Sequence, residues 1–283
     1  MATRLSIRGA EQDPNVIDNL QRAFARMKSL PDERGYDFFA SVHGLSFPAW
    51  CQHGPPLFLP WHRAYLYYFE LALQTRLGAQ LTIVEPQDPE LADVGVPWWD
   101  WTSPESHRAG LPQSYTDVNG PLANAQIGAC PGDDRPLRSG VWSTALTGLV
   151  RSALGGTISD DNPPTTLRDP NDPAELPTAT EVEGALSEGT FLDFSNSLED
   201  IHDAVHGWVG GAMSAVPTAA YDPIFWSHHA MIDRLWYLSQ ITVRGSDPPA
   251  SLLNVVLTPF PMTVAQTLSI DDLLYEYAVQ ASG

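Results

Sequence analysis

The sequence predicts a mainly α-helical protein with long packed loops and a few short strands. Three observations carry this. Helical periodicity of apolar residues recurs before Gln80 and again after Ser197. The stretch between, to about Thr190, is dominated by Pro, Gly, Asp, Asn and Ser. Two histidine triplets, His43/His53/His62 and His202/His206/His229, fall one in each periodic region. A site shared by both triplets would force these regions to pack together, so a single domain over residues 1–283 is expected.

Residues 15–29 place Val16, Ile17, Leu20, Ala23, Phe24 and Met27 on one stripe and end ahead of Pro31. A second helix is predicted from near Asp32, with Tyr36, Phe39 and Ala40 on its apolar stripe and His43 close to Gly44, which stops it. Gly54, Pro55 and Pro56 mark a loop and put His53 on irregular backbone. Pro60 suits the first turn of a third helix, 60–78, which carries His62 in its opening turn and closes at Gly78. In the turn-rich middle, the strip PWWDWT (97–102) and the apolar run from Trp142 to Val150 need burial, so packed loops with a helix and short strands are expected rather than disorder. Two more helices follow: 197–209, ended by Gly210 and Gly211, and 222–242, opened by Asp222 as N-cap and Pro223 at its first position. Trp61, Trp98, Trp99 and Trp101 read as core, and His107 as surface.

With 34 acidic against 15 basic residues, the formal charge is −19, which excludes nucleic acid and anionic membranes as partners because both need clustered Lys and Arg. No run approaches the ~18 consecutive apolar residues of a membrane span. The opening residues lack the apolar core and cleavage site of a signal peptide, so a soluble, cytoplasmic chain is expected. Cys51 and Cys130 could form a disulfide, but a chain of 43% hydrophobic residues needs no disulfide framework to fold.

Imidazole ligates copper, zinc, iron and nickel, and three imidazoles without a carboxylate leave coordination positions free for oxygen or substrate. His202 and His206, four apart on a predicted helix, share one face, although a bare pair at that spacing reads equally well as a polar helix face. Phe225, His229 and Asp233 repeat the spacing on the last helix. His228 is rotated about 100° from His229, and spacing alone does not choose between them. A di-iron centre needs a second Glu-x-x-His beside that of Glu199 and His202, and it leaves the first triplet idle. A zinc hydrolase leaves the second triplet surplus. Paired copper uses both. Asp233 and Arg234 read as structural, the carboxylate orienting a ligand or pairing with arginine.

Four spaced segments, HGPPLFLPWHRAYLYYFE (53–70), PWWDWT (97–102), LEDIHDAVHGWVGG (198–211) and DPIFWSHHAMIDRLW (222–236), resemble the type-3 copper proteins: tyrosinases, catechol oxidases and related polyphenol oxidases. The resemblance covers nearly the whole chain. It implies a tyrosinase-like antiparallel helix bundle holding two copper ions, copper A on His43, His53 and His62 and copper B on His202, His206 and His229. It leaves His228 outside the ligand set and packs Phe225 over copper B. Cys51-Gln52-His53 has the spacing at which fungal members and molluscan hemocyanins join the cysteine sulfur to the second copper A histidine. A Cys51–His53 thioether is therefore expected, the alternatives being a free thiol or a disulfide to Cys130. Tyr275-Glu276-Tyr277 resembles the Tyr-x-Tyr motif that closes the catalytic domain of larger members. With no covering domain expected beyond it, an open enzyme is favoured over the alternative, a hemocyanin-like O2 carrier.

The activity implied is oxidation of o-diphenols to o-quinones by O2, with some monophenol hydroxylation and o-aminophenol oxidation. Small phenols are the expected partners and a copper chaperone a further candidate, while the oligomeric state stays open. In the family, a glutamate three or four residues before the first copper B histidine helps place a water that takes the phenol proton, and Glu199 matches it. Asp203 stands where strong tyrosinases often carry asparagine, and its charge would either strengthen the base or repel the forming phenolate. Val216 aligns with the residue that gates the copper A side, a small gate that admits monophenols. Val216, Phe225 and His206 are the expected substrate contacts, the phenol ring stacking on a copper B histidine.

Overall fold

One helix without a solvent-facing side lies at the centre of the fold. The structure is a computed structural model that describes residues 1–44, 50–54, 56–125, 127, 165–242 and 247–278. Its elements run β1 (Ala2–Arg4), α1 (Ile7–Ala10), α2 (Pro14–Ser29), α3 (Tyr36–Gly44), α4 (Phe58–Leu73), α5 (Ser106–Ala109), α6 (Ala179–Leu186), α7 (Phe191–Val209), α8 (Val216–Ala219), α9 (Ile224–Thr242) and β2 (Tyr275–Tyr277). Every residue of α4 is buried, as a helix apolar nearly all round must be, and it packs against α2, α7 and α9. No helix among the described residues is long and apolar enough to cross a membrane.

Side-chain pairs give the helix directions. Arg63 of α4 meets Asp233 and Gln240 of α9, while Phe69, further along α4, stacks on Trp226, earlier in α9, so the two run antiparallel. The α7–α9 pair is antiparallel by the same test: Phe191 packs on Trp236 and His202 on His228. The mainly helical, antiparallel architecture is the one the periodicity and the resemblance predict.

Helix boundaries depart from the sequence reading at three ends, each for a local reason. α3 begins at Tyr36 rather than near Asp32, because the Asp32 carboxylate is spent on a turn, accepting from the Arg34 N–H and guanidinium. α4 stops at Leu73, short of Gly78: Thr75 sits at φ 60°, and its Oγ1 accepts the Gln87 and Asp88 N–H groups of the next strand of loop. α7 starts at Phe191, well before Ser197, because Thr190 caps it by accepting from the Asp193 N–H. Elsewhere the signals hold. Asp222 accepts from the Ile224 N–H at the start of α9, and Gly210, at φ 66°, ends α7.

The aromatic strip is tied to both ends of the chain. Trp98 exchanges backbone hydrogen bonds with Leu5 and Ile7, Trp99 N–H donates to Ser227 O, and Trp61, Trp98, Trp99 and Trp101 are all buried. His107 is half-buried rather than on the surface, its ring hydrogen-bonded to Pro177 O. β1 and β2 form a two-stranded parallel sheet with Ala2 opposite Tyr275 and Arg4 opposite Tyr277. The run from Trp142 to Val150 and Cys130 lie outside the described residues.

Beneath the sheet lies a buried charge network. Arg4 donates to Glu70 at 2.8 Å and to Asp233 at 2.9 Å with its guanidinium 3.6 Å from the centre of the Tyr275 ring, while Arg63 and the Tyr275 and Tyr277 hydroxyls also bond Asp233. Burial pushes the Asp233 carboxyl up, but Arg63 and Arg4 outweigh it and hold the group below the usual carboxylate range. Asp233 thus pairs with arginine as expected, though with Arg4 and Arg63. Arg234 lies over Trp98 instead.

Candidate metal centre

The antiparallel packing of α7 and α9 brings His202, His206 and His229 together. Their Nε2 atoms lie 2.9 Å (His202–His206), 3.2 Å (His202–His229) and 3.4 Å (His206–His229) apart. The opposite ring nitrogens decide what these atoms are. His206 Nδ1 is 2.8 Å from Met213 O, which can only accept, and His202 Nδ1 is 2.9 Å from the Asp203 carboxylate. Each Nδ1 therefore carries the proton, and each Nε2 presents a bare lone pair to its neighbour. Converging lone pairs repel unless a cation lies between them, which is the chemistry of a three-imidazole metal site.

The first triplet is built alike in part. His43, near the end of α3, donates Nδ1–H to Val216 O at 3.0 Å, and its buried Nε2 has no hydrogen-bond partner. His62, in the first turns of α4, donates Nδ1–H to Phe58 O at 2.8 Å. His53 lies on the loop predicted for it and is exposed, with its ring stacked parallel to His62 at 5.9 Å. Cys51 Sγ is 3.4 Å from His53 Nε2 and 3.6 Å from His62 Nε2. Desolvation keeps these imidazoles neutral, as ligands must be: it pushes His43 down to about 3 and His206 to about 4, and puts His62, His202 and His229 well below the ordinary histidine range.

Two phenylalanines bind the triplets to each other. Phe225 lies 4.0 Å from the His229 ring and 4.8 Å from that of His43, while Phe58 lies 4.8 Å from His62 and 4.9 Å from His202. Both stand four residues before a histidine, so each histidine ring leans back onto its phenylalanine. Phe58 is a residue the sequence reading missed, although the Phe-x-x-x-His spacing that singled out Phe225 is present there as well. His62 and His229 stack directly at 4.5 Å. A cavity of about 310 Å³ opens onto both triplets, lined by His43, His53, His202, Asp203, His206 and Val216 among others. A larger one, about 520 Å³, between β1 and α2 has no histidine or cysteine in its lining.

A family model for the common central domain of tyrosinase matches residues 33–241, a span that contains all six of these histidines. The chain belongs to the tyrosinase family of type-3 copper oxidoreductases. Two copper ions are the cofactor of that family, and the two histidine clusters fit them. A tyrosinase of Streptomyces lincolnensis is 34% identical, the match covering 71% of this chain and 71% of that protein. Hemocyanin units G and H of Sepia officinalis are 30% identical over 85% of this chain, which spans only 38% of that polypeptide. A functional unit of octopus hemocyanin shares the fold, with a TM-score of 0.72 at 24% identity over 98% of this chain and 68% of that one.

The remaining singled-out residues of this tyrosinase-family site divide by position. Asp203 lines the cavity, yet its carboxylate also holds His202. Val216 is at the rim, 43% exposed, and its carbonyl fixes His43. Phe225 is fully buried, lies outside the cavity lining and packs on His229 and His43. Glu199 is half-buried, accepts the Gly54 N–H at 2.7 Å and lies outside the cavity lining. His228 is fully buried and stacks on His202 at 5.0 Å, and neither of its ring nitrogens has a hydrogen-bond partner.

Proposed function

We propose that residues 1–283 act as one catalytic domain that oxidises o-diphenols to o-quinones with O2, with weaker monophenol hydroxylation and o-aminophenol oxidation. The observation that carries this reading is the cavity. Its ~310 Å³ is at the lower end of small-molecule sites and far more than O2 alone occupies, so the site has room for one phenolic ring beside both triplets. Histidines 43, 53 and 62 would hold one copper ion, and 202, 206 and 229 the other. When bound, the pair supplies the two-electron chemistry.

The protein's part is placement. His206, half-buried at the cavity wall, offers a face on which a phenol ring can stack, and Val216 at the rim leaves the mouth open to a monophenol. Glu199 and Asp203, one helical turn apart on α7, form a carboxylate pair for placing the water that takes the phenol proton. Half-burial raises the Glu199 carboxyl, and Asp203 and Asp200 raise it further against the Gly54 hydrogen bond, which moves it in the direction a proton acceptor requires. The Cys51–His53 thioether belongs to the same reading: the S–H and a ring C–H bond break, a C–S bond forms, and one O2 takes up the two protons and two electrons as H2O2. Peptide mapping of 51–53 would show the loss.

The deciding experiment is oxygen uptake by the copper-loaded chain with catechol and, separately, tyrosine. Rapid uptake with catechol and slower uptake with tyrosine is expected. Two bound copper ions with reversible O2 binding and no catechol turnover would overturn the enzyme reading in favour of a carrier.

A further inference from the structure

A single hydrogen bond among the described residues ties the backbone of the loop that carries His53 to another element, and it comes from the opposite half of the site. Within 50–54, the Gln52 side chain bonds only the neighbouring Trp50 carbonyl, and the Cys51 sulfur faces the histidines. Among the described residues, the hydrogen bond that ties this loop's backbone to another element is Gly54 N–H to Glu199 Oε1, at 2.7 Å. Gly54 itself is in left-handed backbone, φ 84°, with nothing within 4 Å of where a Cβ would stand. Trp50 and Cys51 pack against the core, but Gly54 has open space where a side chain would stand, so the end of the loop next to His53 relies on this hydrogen bond rather than on packing.

We infer that Glu199 is a positioning residue whose carboxylate latches the copper A loop, through Gly54, to the helix that carries two copper B ligands. The geometry has a specific consequence. His53 is the exposed member of its triplet, while His43 and His62 are locked by Val216 and Phe58 carbonyls on helices. Releasing the latch misplaces one ligand of copper A and leaves all three of copper B in place, because the carboxylate bonds Gly54, while the Glu199 group that meets His202 is its backbone, which a side-chain substitution keeps. Copper A then depends on a residue that lies on the copper B helix. This rests on the two-copper reading above.

The test is copper content and affinity of the full chain, measured by chelator competition, for wild type, Glu199→Ala, Glu199→Gln and, as a neighbouring exposed control, Asp200→Ala. Two copper ions in wild type uphold the two-copper reading, and fewer overturn that reading itself. In Glu199→Ala one ion should bind about 10- to 100-fold more weakly while the other is unchanged, the range typical of losing a partner behind a metal ligand. Glu199→Gln keeps a carbonyl oxygen for the Gly54 N–H and should stay within about threefold of wild type, since a neutral hydrogen bond has roughly half the strength of a charged one. Asp200→Ala should match wild type. Wild-type affinity for both ions in Glu199→Ala overturns the latch. So does an equal loss in Glu199→Gln, which would make the charge rather than the acceptor responsible. Hydrogen exchange at 50–54, faster in Glu199→Ala alone, separates a released loop from general destabilisation.

Discussion

His202, His206 and His229 stand on two long helices that cross antiparallel, whereas His43, His53 and His62 come from two helices and a loop. In the second triplet the spacing of four and the helix contact bring three Nε2 atoms to one point, with Met213 O and the Asp203 carboxylate orienting two of the rings. In the first, two histidines are fixed by backbone carbonyls, and the third depends on a turn held from the other half. A metal site on packed helices is set once the helices pack. A site that borrows a loop residue needs an added constraint, because the loop keeps conformational freedom that ligation must remove. The two copper sites of one centre thus differ in preorganisation.

The strongest way to break this comparison is to remove a ligand from each side. His202→Ala should abolish catechol oxidation and leave one copper ion per chain. His53→Ala should also abolish oxidation but retain weak binding at its own site, because His43 and His62 keep their orientation. Equal copper loss in both would erase the proposed difference.

Acid tests the copper-free chain next. The buried histidines have folded values below the unfolded one of about 6.5, so the unfolded chain takes up protons first. Apo stability is full above that pH and falls as pH drops toward the folded values of about 4 for His206 and about 3 for His43. Each such histidine can contribute up to about 1.4 kcal/mol per pH unit. Copper, by occupying the lone pairs, should hold the melting temperature nearly level over pH 7 to 5, where the apo form declines. Parallel curves would contradict the neutral-imidazole assignment.

Asp233→Ala leaves Arg63 in the core without a carboxylate, while Arg4 keeps Glu70, and should cost about 3–5 kcal/mol in chemical denaturation. That residue lies one turn beyond His229 and bonds the neighbour of His62, so both halves should lose copper together. Phe58→Leu and Phe225→Leu sharpen the comparison more gently. Each should cost under about 1.5 kcal/mol, with similar effects because the two rings stand in matching places. The smallest effect is expected from Asp203→Asn, whose amide oxygen can still accept from His202 Nδ1–H and whose side chain is 72% exposed. Copper affinity should change little, while the ratio of tyrosine to catechol turnover shifts. An unchanged ratio would remove Asp203 from the monophenol step.

Much of this centre was legible because it is written in short periods. Helical spacing identified α2, α7 and α9, the pair His202/His206 and the Phe225–His229 contact, and the same rule applied to Phe58 and His62 would have found the second ring. Neighbouring residues on one helix face need no tertiary information to be placed together. The ends of α3, α4 and α7 were misjudged where a side chain such as Asp32, Thr75 or Thr190 bonded backbone in competition with the helix or in its support.

Contacts between distant segments were set by the packing. By itself the sequence determined that there are two triplets of neutral-capable ligands, which helices carry most of them, and that the loop at Gly54 carries His53. Only the tertiary structure decided that Asp233 answers Arg4 and Arg63 rather than Arg234, that Phe225 reaches across to His43, and that Glu199 reaches the loop that carries His53. Those pairings join residues 145 to 229 positions apart along the chain. Their partners are selected by which helix faces meet in the core, and no local period encodes that choice.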